Sequence, residues 1–412
     1  MQICSKQKTE IELYVHIPFC VKKCDYCDFL SAPTAEEVRK AYIEVIKKEV
    51  AMRSCKEGLI VTSVFFGGGT PTVLSGDELA DILHCLMSAF DFAEKAEISL
   101  ECNPGTADYE KLKKCREAGF NRLSIGLQSA LDEELKSIGR IHSFKDFINV
   151  YEAANRAGFN NINVDIITAL PGQTMEDVDR TLERVLLLDP PPKHISAYSL
   201  ILEEGTAFWK RYEENKLQLP DEDAERSMHW HVFDVLEAGG YKHYEISNLS
   251  KPGYECRHNI GYWVGRPYLG FGIGAASYTG NVRFSNIRNI TEYINVIDKS
   301  RLNGSSDNIC NSPDVKTVSS FGRNYIIPPT AEDITELDIE ERMAEFMFLG
   351  LRMTCGVSET EFKNRYDISI DEKYGKIIEN NVKQGLLCRG NGYIYLTRQG
   401  EDLANYVMAQ FV

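Results

Sequence analysis

Short, nearly continuous apolar runs recur along the first half of the chain, and a stretch with helical periodicity follows most of them. Parallel strands that are covered on both faces have this appearance, and crossover helices join them. The pattern therefore predicts a parallel α/β sheet. The predicted strands are 12–17, 59–66, 96–100, 121–127, 161–168 and 194–201. The predicted helices are 34–53, with Thr34 as its cap, 76–90, 109–118, 144–157 and 175–188.

Polar residues interrupt this apolar pattern where the predicted strands end. Tyr14, the glycine run 67–69, Glu101, Gln128 and Asp165 all lie late in a strand or just after one. In a parallel barrel these positions meet at one rim, where active sites are built. The pattern predicts one shared site, but it does not distinguish a curled barrel from an open sheet.

Three cysteines, Cys20, Cys24 and Cys27, follow the first predicted strand with C-x3-C-x2-C spacing. A structural zinc ion takes four ligands, and disulfides take cysteines in pairs. Three thiolates can instead hold a [4Fe–4S] cluster and leave one iron free. A zinc knuckle or three ordinary buried thiols are the alternatives at this point.

With Tyr26 beside them, the cysteines resemble the radical SAM superfamily signature. The resemblance implies a partial (β/α)6 barrel, a [4Fe–4S] cluster and S-adenosyl-L-methionine on the free iron. It also places an arginine at the carboxylate of S-adenosylmethionine. The implied contacts of that cofactor are Tyr14, Tyr26, Gly68, Gly69, Thr70, Glu101, Gln128, Arg140 and Asp165. Without the resemblance, the glycines could form a flexible turn, and the charged residues could be exposed at the surface.

Longer motifs make the resemblance more specific, from the superfamily to one family within it. Segments 14–20, 66–72, 125–129 and 170–174 are similar to the oxygen-independent coproporphyrinogen III oxidase family. The oxidase branch of that family carries a further cysteine two residues after the third. This chain has Phe29 there. The departure resembles the HemW-type haem chaperone branch instead.

A second motif points the same way. His258, Asn259, Tyr262 and Trp263 form the pattern His-Asn-x-x-Tyr-Trp, which resembles the haem-binding motif of that branch. The histidine could bind haem iron, and the two aromatic rings could contact the macrocycle. Alternatively, a loop histidine and two aromatic residues pack in a domain interface.

The rest of the chain predicts three domains. We expect the radical SAM partial barrel at 1–205, an α+β extension at 206–337 with a loop insertion near 303–329, and a winged-helix-like domain at 338–412. From Glu340 onward the chain has nine basic and eleven acidic residues, so this last domain lacks the basic surface that DNA binding requires. It is expected to serve as a lid or a partner surface.

Composition limits the class of protein further. The 412 residues carry a formal net charge of −15, which argues against nucleic-acid binding. No signal peptide and no membrane span is predicted, so we expect a cytoplasmic protein with reduced cysteines. Cys55, Cys85, Cys102 and Cys115 are expected to be small core residues.

Two functions from different classes follow. The first is a haem chaperone that binds the cluster, S-adenosylmethionine and haem, and delivers haem to acceptor proteins. The second is an oxygen-independent coproporphyrinogen III dehydrogenase, and a weaker third is a radical SAM enzyme acting on another tetrapyrrole. Expected partners are haem, haem-acceptor proteins and membrane haemoproteins through peripheral contact. An electron donor such as flavodoxin or ferredoxin is expected if S-adenosylmethionine is reductively cleaved. The chain is expected to be a monomer or a homodimer.

Overall fold

A computed structural model describes residues 8–54, 58–300, 316–320 and 323–412. The first six strands pair in parallel, each with the next along the chain, so the predicted parallel sheet is confirmed. They are β1 (Thr9–Ile17), β2 (Leu59–Gly68), β3 (Phe92–Cys102), β4 (Arg122–Gln128), β5 (Ile162–Thr168) and β6 (His194–Ser199).

Helices connect these strands. They are α1 (Glu36–Met52), α2 (Gly76–Ala89), α3 (Tyr109–Ala118), α4 (Asp132–Ser137), α5 (Phe144–Arg156) and α6 (Met175–Leu186). Five of them match predicted helices; α4 has six residues, too few to show periodicity. The prediction that Thr34 caps α1 is wrong, because Ala35 is the N-cap and the Thr34 hydroxyl donates to the Ala32 carbonyl.

The two faces of the sheet differ in polarity. On β1, Leu13, Val15 and Ile17 are fully buried in the main hydrophobic core, to which the helices also contribute. The alternate residues, which include Glu12 and Tyr14, lie on the opposite face. Because side chains alternate along a strand, the concave interior of the barrel is lined by polar residues.

The next part of the chain extends the sheet at both edges. β9 pairs in parallel with β1, and β8 pairs antiparallel with β6, which completes a twelve-stranded sheet. The helices are α7 (Ala207–Glu213), α8 (Glu222–Ala238), α9 (Arg257–Trp263) and α10 (Ile290–Lys299). The strands are β7 (Lys242–Glu245), β8 (Asn248–Ser250), β9 (Tyr268–Phe271), β10 (Ala276–Tyr278), β11 (Val282–Asn286), β12 (Thr317–Ser320), β13 (Arg323–Ile326) and β14 (Ala331–Glu336).

The prediction of a loop over 303–329 is wrong for part of that segment. β12 and β13 form a two-stranded antiparallel hairpin within it. Residues 303–315 and 321–322 lie outside the described residues. The hairpin is four residues per strand, too short for its alternation to stand out from the surrounding polar sequence.

The C-terminal part packs around its own apolar cluster, which includes Met347, Phe362 and Ile394. Its elements are α11 (Ile339–Gly350), β15 (Val357–Ser358), α12 (Glu359–Tyr366), α13 (Ile370–Lys383), β16 (Leu387–Gly390), β17 (Tyr393–Leu396), α14 (Arg398–Asp402) and α15 (Ala404–Met408). The predicted wing is present as the β16–β17 hairpin. Two short helices close the chain, and Leu403 separates α14 from α15.

Among the scattered cysteines, Cys102 and Cys115 are buried and Cys85 is partly buried, whereas Cys55 lies outside the described residues. In the described part of the chain, none of the helices combines the length and the apolar character that crossing a bilayer requires.

Candidate functional site

A cavity of about 540 Å³ lies inside the barrel and reaches the rim at the carboxyl ends of the strands. We call it the cysteine cavity, because all three motif cysteines line it. It brings together most of the predicted site residues. These are Cys20, Cys24, Cys27, Tyr26, Gly69, Thr70, Glu101, Gln128, Arg140, Asp165 and Asn259.

The cysteines lie on the loop between β1 and α1, and all three are partly exposed. The Cys20 sulfur is 3.7 Å from the Thr70 hydroxyl, and burial raises the pKa of the Cys27 thiol. Among the described residues, no three His, Cys, Asp or Glu side chains converge closely enough for a single metal ion. In a three-cysteine [4Fe–4S] site each sulfur binds a different iron, so the sulfurs need not meet at one point.

The packing of the protein itself requires the glycine run. A Cβ on Gly69 would lie 2.7 Å from the Phe19 carbonyl oxygen, and Gly68, with φ of 112°, would place one 2.5 Å from the His16 ring. The run therefore lets the end of β2 pack directly against the cysteine loop. The Gly68 amide also donates to the Glu101 carboxylate at 3.1 Å, and Gly69 and Thr70 line the cavity.

Two partly buried carboxyl groups face the cavity from different strands. Burial, together with the nearby Asp165, raises the pKa of Glu101 to about 8. Burial also raises the pKa of Asp165, which accepts hydrogen bonds from Asn163 at 2.7 Å and from Ser124 at 3.4 Å. The pair offers acceptors to a ligand that carries N–H or O–H donors or positive charge.

Arg140 and Gln128 also line the cysteine cavity. The Arg140 guanidinium donates to the Asn103 amide oxygen at 2.9 Å and to the Gly126 carbonyl at 3.3 Å. Its Nε is buried without a hydrogen-bond partner among the described residues. Gln128 adopts the left-handed region with φ of 74°, which is costly for a residue with a side chain and is typical of functional sites.

Tyr14 does not line the cysteine cavity. Its hydroxyl is 3.0 Å from His16 Nδ1, and its ring stacks on Phe65 at 6.4 Å between centroids. It lines instead a second cavity of about 310 Å³, which we call the aromatic pocket. That pocket is formed by Tyr14, Tyr262, Trp263, Gly265, Arg266, Tyr268, Ala276, Tyr278, Arg283 and Leu349.

Helix α9 separates the two cavities. Asn259 lines the cysteine cavity, whereas Tyr262 and Trp263 line the aromatic pocket. Gly261 lies against β1, where a Cβ would overlap the Glu12 carboxylate. The four residues of the His-Asn-x-x-Tyr-Trp motif therefore do not face one common space.

His258 lies in this wall and is 1% exposed. Its Nδ1 is 2.8 Å from the Ser63 hydroxyl, and its Nε2 is 3.0 Å from the Tyr262 hydroxyl. Burial lowers the pKa of His258 to about 3, so the imidazole is neutral. In this arrangement neither ring nitrogen is free for haem iron, and the histidine instead holds the Tyr262 hydroxyl.

Several buried charges inside the barrel were not identified from the sequence. Glu12 is fully buried and pairs with Arg266 at 2.9 Å. Glu97 receives hydrogen bonds from the backbone amides of Arg257 and His258, which anchors the start of α9. Arg122 lines the cysteine cavity. Charged residues at alternate positions of apolar strands are the sequence signal that could have found them.

The cysteine cavity fits the groups that its signature implies. It presents three thiols at the rim, acceptors from Glu101 and Asp165, and the Arg140 guanidinium with an unpartnered Nε. Thiols suit iron, and the guanidinium suits the carboxylate of an amino acid. A cluster with bound S-adenosylmethionine supplies one-electron chemistry and, when reduced, radical formation.

Comparisons with known proteins agree with this description. The Radical SAM superfamily model matches residues 14–185, and the HemN C-terminal domain model matches residues 337–403. The chain resembles the Escherichia coli coproporphyrinogen III oxidase HemN, a radical SAM enzyme, with a TM-score of 0.77 over 98% of this chain and 90% of that one. The identity is 23%, so this similarity shows the fold: a partial (β/α)6 barrel with added elements.

Curated relatives are more similar in sequence. The Heme chaperone HemW of Bacillus subtilis is 35% identical over 97% of this chain and 98% of its own. The Heme chaperone HemW of Lactococcus lactis is 34% identical over 97% of this chain and 96% of its own. The Escherichia coli protein of the same name is 38% identical over 64% of this chain and 69% of its own. Together with the cysteine cavity, this similarity shows that the chain belongs to the HemW family of radical SAM proteins.

Proposed function

We propose that this protein is a haem chaperone that holds a [4Fe–4S] cluster and S-adenosylmethionine and delivers haem to acceptor proteins. The single observation that carries the proposal is the full-length similarity to the curated haem chaperones. Phe29, at the position where the oxidase branch has a cysteine, supports it.

We propose the cysteine cavity as the site of the cluster and of S-adenosylmethionine. Cys20, Cys24 and Cys27 would hold the cluster, and Arg140 would pair with the cofactor carboxylate. Tyr26, Gly68, Gly69, Thr70, Glu101, Gln128 and Asp165 remain the proposed contacts of the cofactor. Tyr14 would influence the cofactor site only indirectly, because it lines the aromatic pocket and not this cavity.

We propose the aromatic pocket as the haem contact surface. Tyr262 and Trp263 offer ring faces to a macrocycle, and Tyr268 and Tyr278 widen this apolar surface. Arg266 and Arg283 lie beside the rings and pair with Glu12 at 2.9 Å and Glu345 at 2.7 Å, so propionate groups would bind them by exchanging with these carboxylates. Asn259 lies on the other side of α9, so its proposed role is to support the helix.

His258 would reach haem iron only if its hydrogen bonds to Ser63 and Tyr262 broke and α9 shifted. We therefore propose that His258 contributes to haem binding first as a positioning residue for Tyr262. Its predicted role as an iron ligand requires a different position of the helix. Substituting His258 separates the two roles, because an iron ligand alters the haem absorption spectrum and a positioning residue alters affinity.

A titration of haem into the anaerobically reconstituted protein tests the proposal. We expect saturation at about one haem per chain, followed by loss of that haem to an apo-haemoprotein. The control is coproporphyrinogen III supplied with S-adenosylmethionine and a reductant. Formation of protoporphyrinogen IX at a catalytic rate, without specific haem binding, would overturn the proposal in favour of the dehydrogenase.

The remaining partners are proposals of the same kind. Haem-acceptor proteins, including membrane haemoproteins met at the membrane surface, would receive haem in the cytoplasm. Flavodoxin or ferredoxin would be needed only if S-adenosylmethionine is reductively cleaved. The C-terminal domain packs against the extension through hydrogen bonds such as Trp230 to Asp402, and could form part of the partner surface.

A further inference from the structure

The cysteine cavity has a charged floor. Arg122 is the first residue of β4, whereas Gln128 is the last residue of the same strand and lies at the rim. At the rise of an extended strand, six residues span roughly 20 Å along β4. The cavity therefore continues from the cysteines deep into the barrel, well beyond the rim residues.

Arg122 is 2% exposed, yet its side chain has no protein partner in the described part of the chain. Among the described residues, none accepts a hydrogen bond from its nitrogens or places a carboxylate within ion-pair distance, and its Nε is fully buried. Burying an unpaired charge is costly, so buried charges in proteins are normally paired. An arginine left open in this way needs a ligand or water.

The nearest acidic groups are engaged elsewhere. Glu97 receives the Cys256 thiol and the amides that begin α9. Asp165 accepts hydrogen bonds from Asn163 and Ser124. Burial lowers the pKa of Arg122 and the surrounding acidic groups raise it, so the guanidinium stays charged while its N–H donors remain without a hydrogen-bond acceptor among the residues that the structure describes.

We infer that the floor of the cysteine cavity is a binding subsite for the carboxylate of a second small molecule, and that Arg122 holds it. The planar guanidinium matches a carboxylate with two parallel hydrogen bonds. A dianion such as phosphate is disfavoured, because Glu101 and Asp165 line the same cavity. Phe65, Ile167 and Tyr198 also line it and would contact an apolar body attached to the carboxylate.

The carboxylate of S-adenosylmethionine is a different group. It must lie beside the cluster cysteines, and Arg140 is the arginine at that level, because the Asp25 amide of the cysteine loop donates to the carbonyl of Ile138, two residues before Arg140. Arg122 instead lies near Glu97, at the opposite end of β4 from Gln128, and the Asp165 carboxyl interacts with both arginines. Two arginines at different depths thus fit two carboxylates, one from the cofactor and one from a molecule below it. This inference does not depend on where haem binds.

Propionate is the probe, with propionamide as its uncharged counterpart. Isothermal titration calorimetry on the anaerobically reconstituted full chain should show propionate binding about fivefold tighter than propionamide, because hydrogen bonds to a charged partner are stronger. Arg122→Met should abolish propionate binding, and Arg122→Lys should weaken it. The control Arg180→Met, which removes an exposed arginine on α6, should bind as the wild type does.

Thermal unfolding distinguishes a ligand-binding role of Arg122 from a structural role. If Arg122 awaits a ligand, Arg122→Met without propionate should unfold at the same temperature as the wild type or higher. A lower midpoint combined with no propionate binding to the wild type would make Arg122 a structural counter-ion and overturn the inference.

A competition experiment with S-adenosylmethionine completes the test. With the cofactor at saturation, propionate should still bind to the wild type. Complete displacement of propionate by the cofactor would show that both compete for one carboxylate site, which contradicts the inference. Equal binding of propionate to Arg122→Met would place the probe elsewhere and would also contradict it.

Discussion

The cysteine cavity and the aromatic pocket lie on opposite sides of α9, but they are built differently. Apart from the cysteine loop, the cysteine cavity is lined mainly by residues on or near the barrel strands, such as Glu101, Gln128 and Asp165. The aromatic pocket is assembled from β1, α9, the strands of the extension and Leu349 of α11. The first follows from the repeating α/β pattern; the second depends on how distant segments pack.

The two cavities therefore differ in how far their lining can be predicted from sequence. A parallel sheet brings strand ends together whatever the details of packing, so polar residues at those ends are predicted to share a site. No such rule joins Tyr262 to Tyr278 or Arg283. If the two cavities have separate ligands, substitutions in one should leave the other's ligand bound.

The largest expected effect is on the cluster. Cys24→Ala should remove one of three thiols and reduce the cluster iron and sulfide of reconstituted protein to background. Cys388→Ala, far away in the C-terminal domain, is the matched control and should retain full iron content. An intact cluster in Cys24→Ala would show that other ligands hold it.

The next effect concerns the aromatic pocket. Trp263→Ala should weaken haem binding by about 2 kcal/mol, or roughly thirtyfold, because an aromatic anchor of the contact surface is lost. Trp209→Ala removes a partly buried tryptophan of α7 and should leave haem affinity unchanged. Both affinities are measured by absorption titration. Equal losses in the two variants would point to general destabilisation.

His258→Ala should act more weakly on haem and more strongly on the fold. It leaves the hydroxyls of Ser63 and Tyr262 without their partner, which costs about 1–3 kcal/mol in the free energy of unfolding. We expect haem affinity to fall several-fold with an unchanged spectrum, as urea unfolding and haem titration would show. A changed haem spectrum would support direct ligation of iron.

The smallest effect is a pH dependence. The Glu101 pKa rises from an ordinary 4.5 to about 8 on folding, because the group is buried. Between these values the folded state keeps a proton that the unfolded state has lost, so Glu101 makes stability fall as pH rises.

Glu101→Gln should remove that slope, so its stability relative to the wild type should increase from about pH 5 to about pH 8. Urea midpoints at both pH values measure this. Glu110→Gln, at an exposed position on α3, should keep the wild-type slope. An unchanged slope in Glu101→Gln would assign the effect to other buried acids such as Glu12.

Sequence patterns predicted the strands and most helices of the barrel, because buried parallel strands carry a strong apolar signal. Most of the residues that the polar strand ends and the family resemblance predicted as cofactor contacts line the cysteine cavity, whereas Tyr14 and Gly68 do not. The burial of His258 was not predicted, since a histidine near two aromatic residues looks the same whether it faces a ligand or Ser63. Arg122 was missed although it alternates with Ser124 and Gln128 along β4, which places the three side chains on one face of the strand.

The central claim is that haem and the cluster occupy separate cavities. The most direct test is a haem titration of the variant in which Cys20, Cys24 and Cys27 are all replaced by alanine. The account predicts about one haem per chain, bound within about twofold of the wild-type affinity, as expected for independent sites. Failure of this correctly folded, cluster-free protein to bind haem would contradict the account and place haem in the cysteine cavity.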